Sequence, residues 1–277
     1  MKIFNAIDDA EIVPIFYEKT RDKLNVLISY AYLKGNGVKL TKTYRNKIDS
    51  LYLDSGAFSA SMGKVHISLS EYRRFIRRFG TRFDEVFTLD DKFDDPDHNM
   101  NNQYYLEEDL PEGAKRPIPV LHDKKDPFKE FTEYVDQGHD YIAVGSNMKK
   151  DVLDKIWKDF PEIKIHIFGK LNRKLLFDYR PYSADASTWK KAVGFGKVMF
   201  WDTEDDKEYT IDFGEREGTN NNSIPFDKFH HKDQFETLLS DNFGYNRNMM
   251  ISDYKAKQIV NLYFFKQLEN IINSKSN

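Results

Sequence analysis

Short apolar runs rich in β-branched and aromatic residues recur along the chain, and the stretches between them carry apolar residues at helical spacing. The runs at 25–30, 51–54, 85–89, 118–121, 141–144, 163–168, 182–185 and 197–201 predict strands. The stretches 70–79, 99–108, 127–137, 149–160, 173–177 and 187–193 predict helices. In the first of these, Tyr72, Phe75, Ile76 and Phe79 share one face; in the third, Phe128, Phe131 and Val135 do, and Pro127 suits a first helical turn. Strand–helix alternation implies a parallel sheet. About eight strands, with no Gly-rich turn after the first, favour an α/β fold of the (β/α)8 TIM-barrel type over an open doubly wound sheet.

Beyond Trp201 the pattern changes. Residues 202–228 are polar and turn-rich, with Gly214, Gly218 and the run Asn220, Asn221, Asn222, and read as an excursion that includes a hairpin. The stretch 255–272 is amphipathic and belongs to a closing-helix segment, 252–272. Residues 1–277 therefore read as one barrel domain with a polar insertion before its C-terminal helix. The sixth run supports a barrel. Ile163, Ile165 and Ile167 would pack under helices, while Lys164, His166 and Phe168 would face the axis.

Composition narrows the function. The chain has 22 Phe and 16 Tyr among 277 residues, enough aromatic mass for a substantial core despite 31% charged residues. A net charge of −3 excludes a global basic field, so nucleic-acid binding would need a local patch. With no cysteine there is no disulfide, thiolate metal site or cysteine nucleophile, which fits a reducing compartment. Met1-Lys2-Ile3-Phe4-Asn5 lacks the apolar run of a signal peptide, and no stretch is long and apolar enough to span a bilayer. The expectation is a soluble, cytoplasmic protein.

The chemistry concentrates where predicted strands end. Leu51-Tyr52-Leu53-Asp54-Ser55-Gly56-Ala57-Phe58 runs an apolar strand into an acid and then into small residues, against which a flat ligand could lie. Tyr182-Ser183-Ala184-Asp185-Ala186-Ser187-Thr188-Trp189 repeats the arrangement downstream. Asp54, Asp90, His122, Gly145 and Asp185 all fall at or just past strand ends, the functional face of a barrel. Two such carboxylates suit cleavage at a sugar carbon. One, ionised at neutral pH, stabilises or bonds to the anomeric centre; the other, protonated, helps the base leave.

Asp54-Ser55-Gly56-Ala57-Phe58, Thr88-Leu89-Asp90, Pro119-Val120-Leu121-His122, Tyr141 to Gly145, His166-Ile167-Phe168-Gly169 and Ser183-Ala184-Asp185 occur in an order that resembles the tRNA-guanine transglycosylase superfamily. The resemblance is closer to its shorter phage and bacterial relatives that act on DNA and handle 7-deazaguanine bases. It implies Asp185 as nucleophile and Asp54 as general acid/base. It implies a base site of Ser55, Gly56, Phe58, Asp90, His122, Gly145 and His166, with Asp90 reading the base edge and Phe58 stacking. His122 stands where the tRNA enzymes usually have Gln. Lys170, Arg173, Lys174, Lys190 and Lys191 would meet the nucleic-acid backbone. The tRNA enzymes' Cys/His zinc subdomain is absent. No cofactor, no metal and no membrane partner are expected. The resemblance implies DNA rather than RNA as substrate, a free 7-deazaguanine-type base, a homodimer, and a bacterial or phage-infected cell.

Other readings of the same residues stay open. Water in place of an incoming base gives a DNA glycosylase that excises without replacing. A metal-dependent barrel hydrolase would use Asp54, His122, His166 and a further acid. A non-catalytic nucleic-acid-binding barrel would use none of them. Asp54 could cap a turn and Asp185 the helix after it. The acid-rich stretch 90–97 reads as a solvated loop, His122 and His166 as structural, and Arg73, Arg74, Arg77, Arg78 and Arg82 as a solvated helix face. Tyr104, Tyr105, Tyr182 and Trp189 are further stacking candidates. His230 and His231, being adjacent, are poorly placed to share a metal.

Overall fold

Eight parallel strands curl around an axis packed with aromatic rings. The computed structural model describes residues 1–122, 125–169, 171–214 and 223–275. Its strands are β1 (Lys2–Ala6), β2 (Leu24–Ser29), β3 (Ile48–Asp54), β4 (Glu85–Val86), β5 (Val120–Leu121), β6 (Tyr141–Val144), β7 (Lys164–Ile167) and β8 (Ser183–Ala186). They lie in the order β4-β3-β2-β1-β8-β7-β6-β5. A parallel bridge between Phe87 and Ile118 joins the two ends, with Thr88 N–H to Ile118 O at 2.9 Å and Ile118 N–H to Val86 O at 2.8 Å. The fold is a (β/α)8 barrel.

The helices are α1 (Ile12–Thr20), α2 (Ala57–Ser61), α3 (Leu69–Phe79), α4 (Pro96–Glu107), α5 (Pro127–Asp136), α6 (Lys150–Asp159), α7 (Arg173–Tyr179), α8 (Thr188–Gly194), α9 (Lys232–Leu238), α10 (Arg247–Ser252) and α11 (Tyr254–Ser274). Pro96 and Pro127 open α4 and α5, where a missing N–H costs nothing, and Asp95 and Asp126 cap them. Among the described residues no helix is long and apolar enough to cross a membrane.

The residues group into two compact units, Met1–Ala10 with Asn25–Ala186 and Glu11–Leu24 with Ser187–Asn277, where the sequence reading takes one domain. The first holds the barrel. Alternate residues point inward, so Phe4, Leu27, Tyr52, Phe87, Val120 and Tyr141 fill the axis, and Phe4 stacks on Tyr52 at 3.9 Å between centroids. Burying each such side chain is worth roughly 1.5–3 kcal/mol. His166 joins them, fully buried against Phe87 and Phe168, as the parity of its strand predicts.

In the second unit, β9 (Lys197–Asp202) and β10 (Lys207–Asp212) form an antiparallel hairpin, and β11 (Ile224–Pro225) runs parallel to β10. This corrects the sequence reading, which makes 197–201 the eighth barrel strand. β1 takes that place instead. The reason is connection length: β10 follows β9 after four residues, which a hairpin permits and a parallel crossover does not. Gly218 and Asn220 to Asn222 of the expected excursion lie outside the described residues. The closing segment 252–272 is also divided. Asp253 ends α10 and its side chain caps α11, which packs on β9, α8 and α1.

Candidate active site at the carboxyl ends of the strands

Inward parity carries Asp54 and Asp185 from the barrel interior to the same end of the first unit. Asp54 follows inward Tyr52 by two residues, and Asp185 pairs in register with inward Phe4. Asp54 Oδ2 accepts the Gly56 N–H at 3.1 Å. Burial first, then the negative charges of Asp90 and Asp185, push its carboxyl up to about 7 against the pull of Gly56 and Ser29. Asp54 is thus within the field of both other carboxylates.

Gly56 makes this corner possible. Its φ is +90°, and a Cβ there would meet Ser29 Oγ at 2.6 Å and Ala31 Cβ at 2.9 Å. The chain after Asp54 can therefore fold tightly over the end of β2. Ser55 is fully buried and its hydroxyl reaches Asp90 Oδ1 at 3.4 Å. Phe58, in the first turn of α2, is 69% exposed.

Asp90 is buried, and its Oδ2 lies 2.8 Å from His122 Nε2. The His122 ring packs on Phe93 at 4.6 Å. Gly145 gives it room, because a Cβ there would stand 3.0 Å from His122 Nδ1. Gly145 therefore acts by seating an imidazole. The stretch 90–97 is more ordered than a solvated loop: Asp91 accepts from His98 and Asn102 at 3.0 Å each, and Asn102 also holds Leu89 O at 2.9 Å.

Asp185 is buried and accepts the Gly169 N–H at 2.8 Å. It does not cap α8, whose N-terminus has no side-chain cap. His166 Nε2 lies 3.5 Å from Asp185 Oδ1. On its other side His166 Nδ1 is 2.6 Å from Ser183 Oγ, and Ser183 is 2.6 Å from the Tyr141 hydroxyl. Tyr141 in turn reaches the Tyr52 hydroxyl at 3.5 Å. His166 has no exposed surface, so it stands behind Asp185 within the barrel and cannot touch a base directly.

The expected cationic surface divides. Arg173 and Lys174 begin α7, with Lys174 paired to Asp178 at 2.7 Å and lining a cleft of about 200 Å³ with Asn172 and Tyr179. Lys190 and Lys191 are on α8, in the second unit. Lys170 lies outside the described residues. Two stacking candidates are corrected. Trp189 is 2% exposed, and Tyr182 sits at the amino end of β8, edge-on to Tyr141. Tyr104 accepts a hydrogen bond from Gln137, and Tyr105 lies under the Arg73 guanidinium. Arg73 and Arg74 pair with Glu108 and Glu71, while Arg78 and Arg82 flank Phe79, as in a solvated helix face.

Sequence reasoning missed Ser29, Phe93 and the Ser183–Tyr141–Tyr52 chain as parts of this site. The parity that places Asp185 and His166 inside also places Ser183 and Tyr141, so period-two counting could have found them. A group able to hold a metal ion was also missed. The ligating atoms of Asp202, Asp205, His230 and His231 all lie within 4.8 Å of one another, in the second unit.

The geometry defines a (β/α)8 barrel whose carboxyl-end mouth gathers three acids and an imidazole. No family model matches the chain, and no curated protein matches it. Among solved structures it is similar to a protein of Coccidioides immitis described as a candidate fructose-1,6-biphosphate aldolase. The TM-score is 0.54 at 10% identity, over 99% of this chain and 90% of that one. The likeness is one of fold.

Proposed function

We propose that the chain is an enzyme of N-glycosidic bonds, exchanging a base in DNA for a 7-deazaguanine. The observation that carries the reading is the placement of Asp54 and Asp185 at the same end of the barrel, where burial and the neighbouring acids push the Asp54 carboxyl up to about 7. A group titrating there holds a proton half the time at neutral pH, as a general acid that must later act as a base requires.

Asp185 carries the opposite task. Its carboxylate attacks the anomeric carbon and the bond to the base nitrogen breaks. That bonding pair leaves with the base, which takes the Asp54 proton. The incoming base then gives a proton to the Asp54 carboxylate and attacks the same carbon, releasing Asp185. The Asp90–His122 pair would meet the base edge, with the buried Ser55 hydroxyl behind Asp90, and Phe58 would stack on a flipped base, returning about 1–3 kcal/mol. The carboxylate chemistry rests on geometry. DNA, 7-deazaguanine and a dimer rest on the resemblance of the motifs, and a cytoplasmic setting on the composition.

The test incubates the chain with duplex and single-stranded DNA and a radiolabelled 7-deazaguanine base. Label retained in the DNA, and lost with Asp185→Asn, supports exchange. Abasic sites without label would show excision instead. No reaction with either substrate, from folded protein, would remove the reading.

A further inference from the structure

We propose that Asp202, Asp205, His230 and His231 form a binding site for a divalent transition-metal ion of the zinc class, built into the second unit. The residues come from three places: the end of β9, the turn into β10, and the segment leading into α9. His231 Nδ1 lies 2.5 Å from Asp202 Oδ2, and His230 Nε2 lies 3.0 Å from Asp205 Oδ2. Four donors around zinc, each about 2.0–2.1 Å from it, stand roughly 3.4 Å apart. The two Asp–His pairs already stand inside that spacing, and all four donors lie within 4.8 Å of one another.

The donor set and its surroundings point the same way. Two imidazole nitrogens with two carboxylate oxygens suit zinc and its neighbours better than calcium or magnesium, which prefer oxygen alone. Asp202 is fully buried, and its Oδ1 is occupied by the N–H groups of Glu204 and Asp205 at 2.9 and 3.1 Å, leaving Oδ2 as the atom aimed at the histidines. The Tyr209 hydroxyl donates to Asp205 Oδ2 at 2.5 Å, the kind of outer contact that orients a ligand. Phe229 and Tyr209 pack edge-on against the His230 ring at 5.2 and 5.5 Å, forming an apolar wall on one side. Asp205 and His230 are exposed on the other, which gives an ion a way in.

Charge supplies the need. Asp202, Asp205 and Glu204, whose Oε2 is 3.4 Å from His231 Nε2, place three carboxylates around two imidazoles that are 4.2 Å apart between centroids. A dication answers that field at one point. The chain has no cysteine, so a metal clasp in it must use oxygen and imidazole donors. Such a clasp would tie the β9–β10 hairpin to the start of α9 across 25 positions of sequence. The adjacent histidines, poorly placed by sequence alone, are brought together by the irregular backbone before α9, where His231 has φ −101° and ψ 47°.

The experiment uses the tag-free full-length chain, stripped with chelator. Zinc is titrated by calorimetry, cobalt binding is followed by its visible absorption, and thermal unfolding is recorded with and without zinc. The expected result is one zinc per chain, a tetrahedral cobalt spectrum, and a melting temperature that rises with zinc and not with magnesium. The paired change Asp205→Asn with His230→Gln, both exposed and tolerable to folding, should weaken zinc roughly 100-fold. Asp185→Asn should leave zinc binding unchanged. Absence of stoichiometric zinc in the folded protein, or undiminished binding by the double variant, overturns the proposal. Neither result bears on base exchange, which is read separately.

Discussion

His166 Nε2 stands 3.5 Å from Asp185 Oδ1 inside the barrel and, among the described residues, has no hydrogen-bond partner. Its other nitrogen is tied to Ser183. The ring thus stands between a candidate nucleophile and a buried hydroxyl chain, and under the proposed function it can act only through Asp185. His166→Phe keeps the aromatic packing and removes both nitrogens. Ser183 then loses a partner, at about 1–3 kcal/mol in urea unfolding. Under the proposed function kcat falls with KM little changed, and the pH–rate profile shifts; an unchanged profile would reduce His166 to packing.

Asp54 sets a pH dependence of stability. Its carboxyl titrates near 3.8 in the unfolded chain and is raised to about 7 when folded. The folded state holds the proton more tightly, so the contribution is complete below pH 4 and is lost as pH rises to about 7. A displacement of that size is worth at most about 4 kcal/mol. Asp54→Asn cannot titrate. Unfolding free energies from pH 4 to 9 should show the wild type losing stability relative to the variant as pH rises.

Two glycines with positive φ should respond differently to the same change. Gly63 has φ +68° and open space around an added Cβ, so Gly63→Ala carries only the conformational cost, about 1 kcal/mol. Gly56→Ala adds a collision with Ser29 and Ala31 and should cost about 3 kcal/mol. Equal melting temperatures for the two variants would contradict the tight corner described above.

Asn261 is the polar anchor of the second unit. It is fully buried on α11, accepts the Met199 N–H at 2.7 Å, and donates to Trp189 O at 3.0 Å and Lys197 O at 3.3 Å. Asn261→Leu keeps similar volume and strands three backbone groups. Chemical denaturation should show a loss of about 3 kcal/mol or more, well above an exposed control on the same helix such as Lys255→Ala.

Much of this was legible in the sequence because periodicity is a local property. The Ile163, Ile165, Ile167 alternation forecast which way His166 points, and the acids at strand ends forecast a shared mouth. What was not legible depends on partners distant in sequence. β1 is five residues with a single large inward ring, Phe4, and only its pairing with β2 and β8 reveals it as a barrel strand. β9 has the composition of a barrel strand, and the short turn after it, rather than the strand, decides its fate. Trp189 could not be told from a stacking surface because burial of one face of α8 is set by α11, more than sixty residues later. His230 and His231 share a cluster through backbone angles that residue types do not encode.

The bridge at Phe87 and Ile118 has a mechanical consequence. β4 and β5 are two-residue strands, so the ring is thinnest along that one seam. Asp90 follows β4 and His122 follows β5, and their 2.8 Å contact crosses the seam like a stitch at its rim. Any ligand that draws either side chain to itself must undo that stitch, so occupancy of the mouth and the integrity of the stave joint beneath it are mechanically linked.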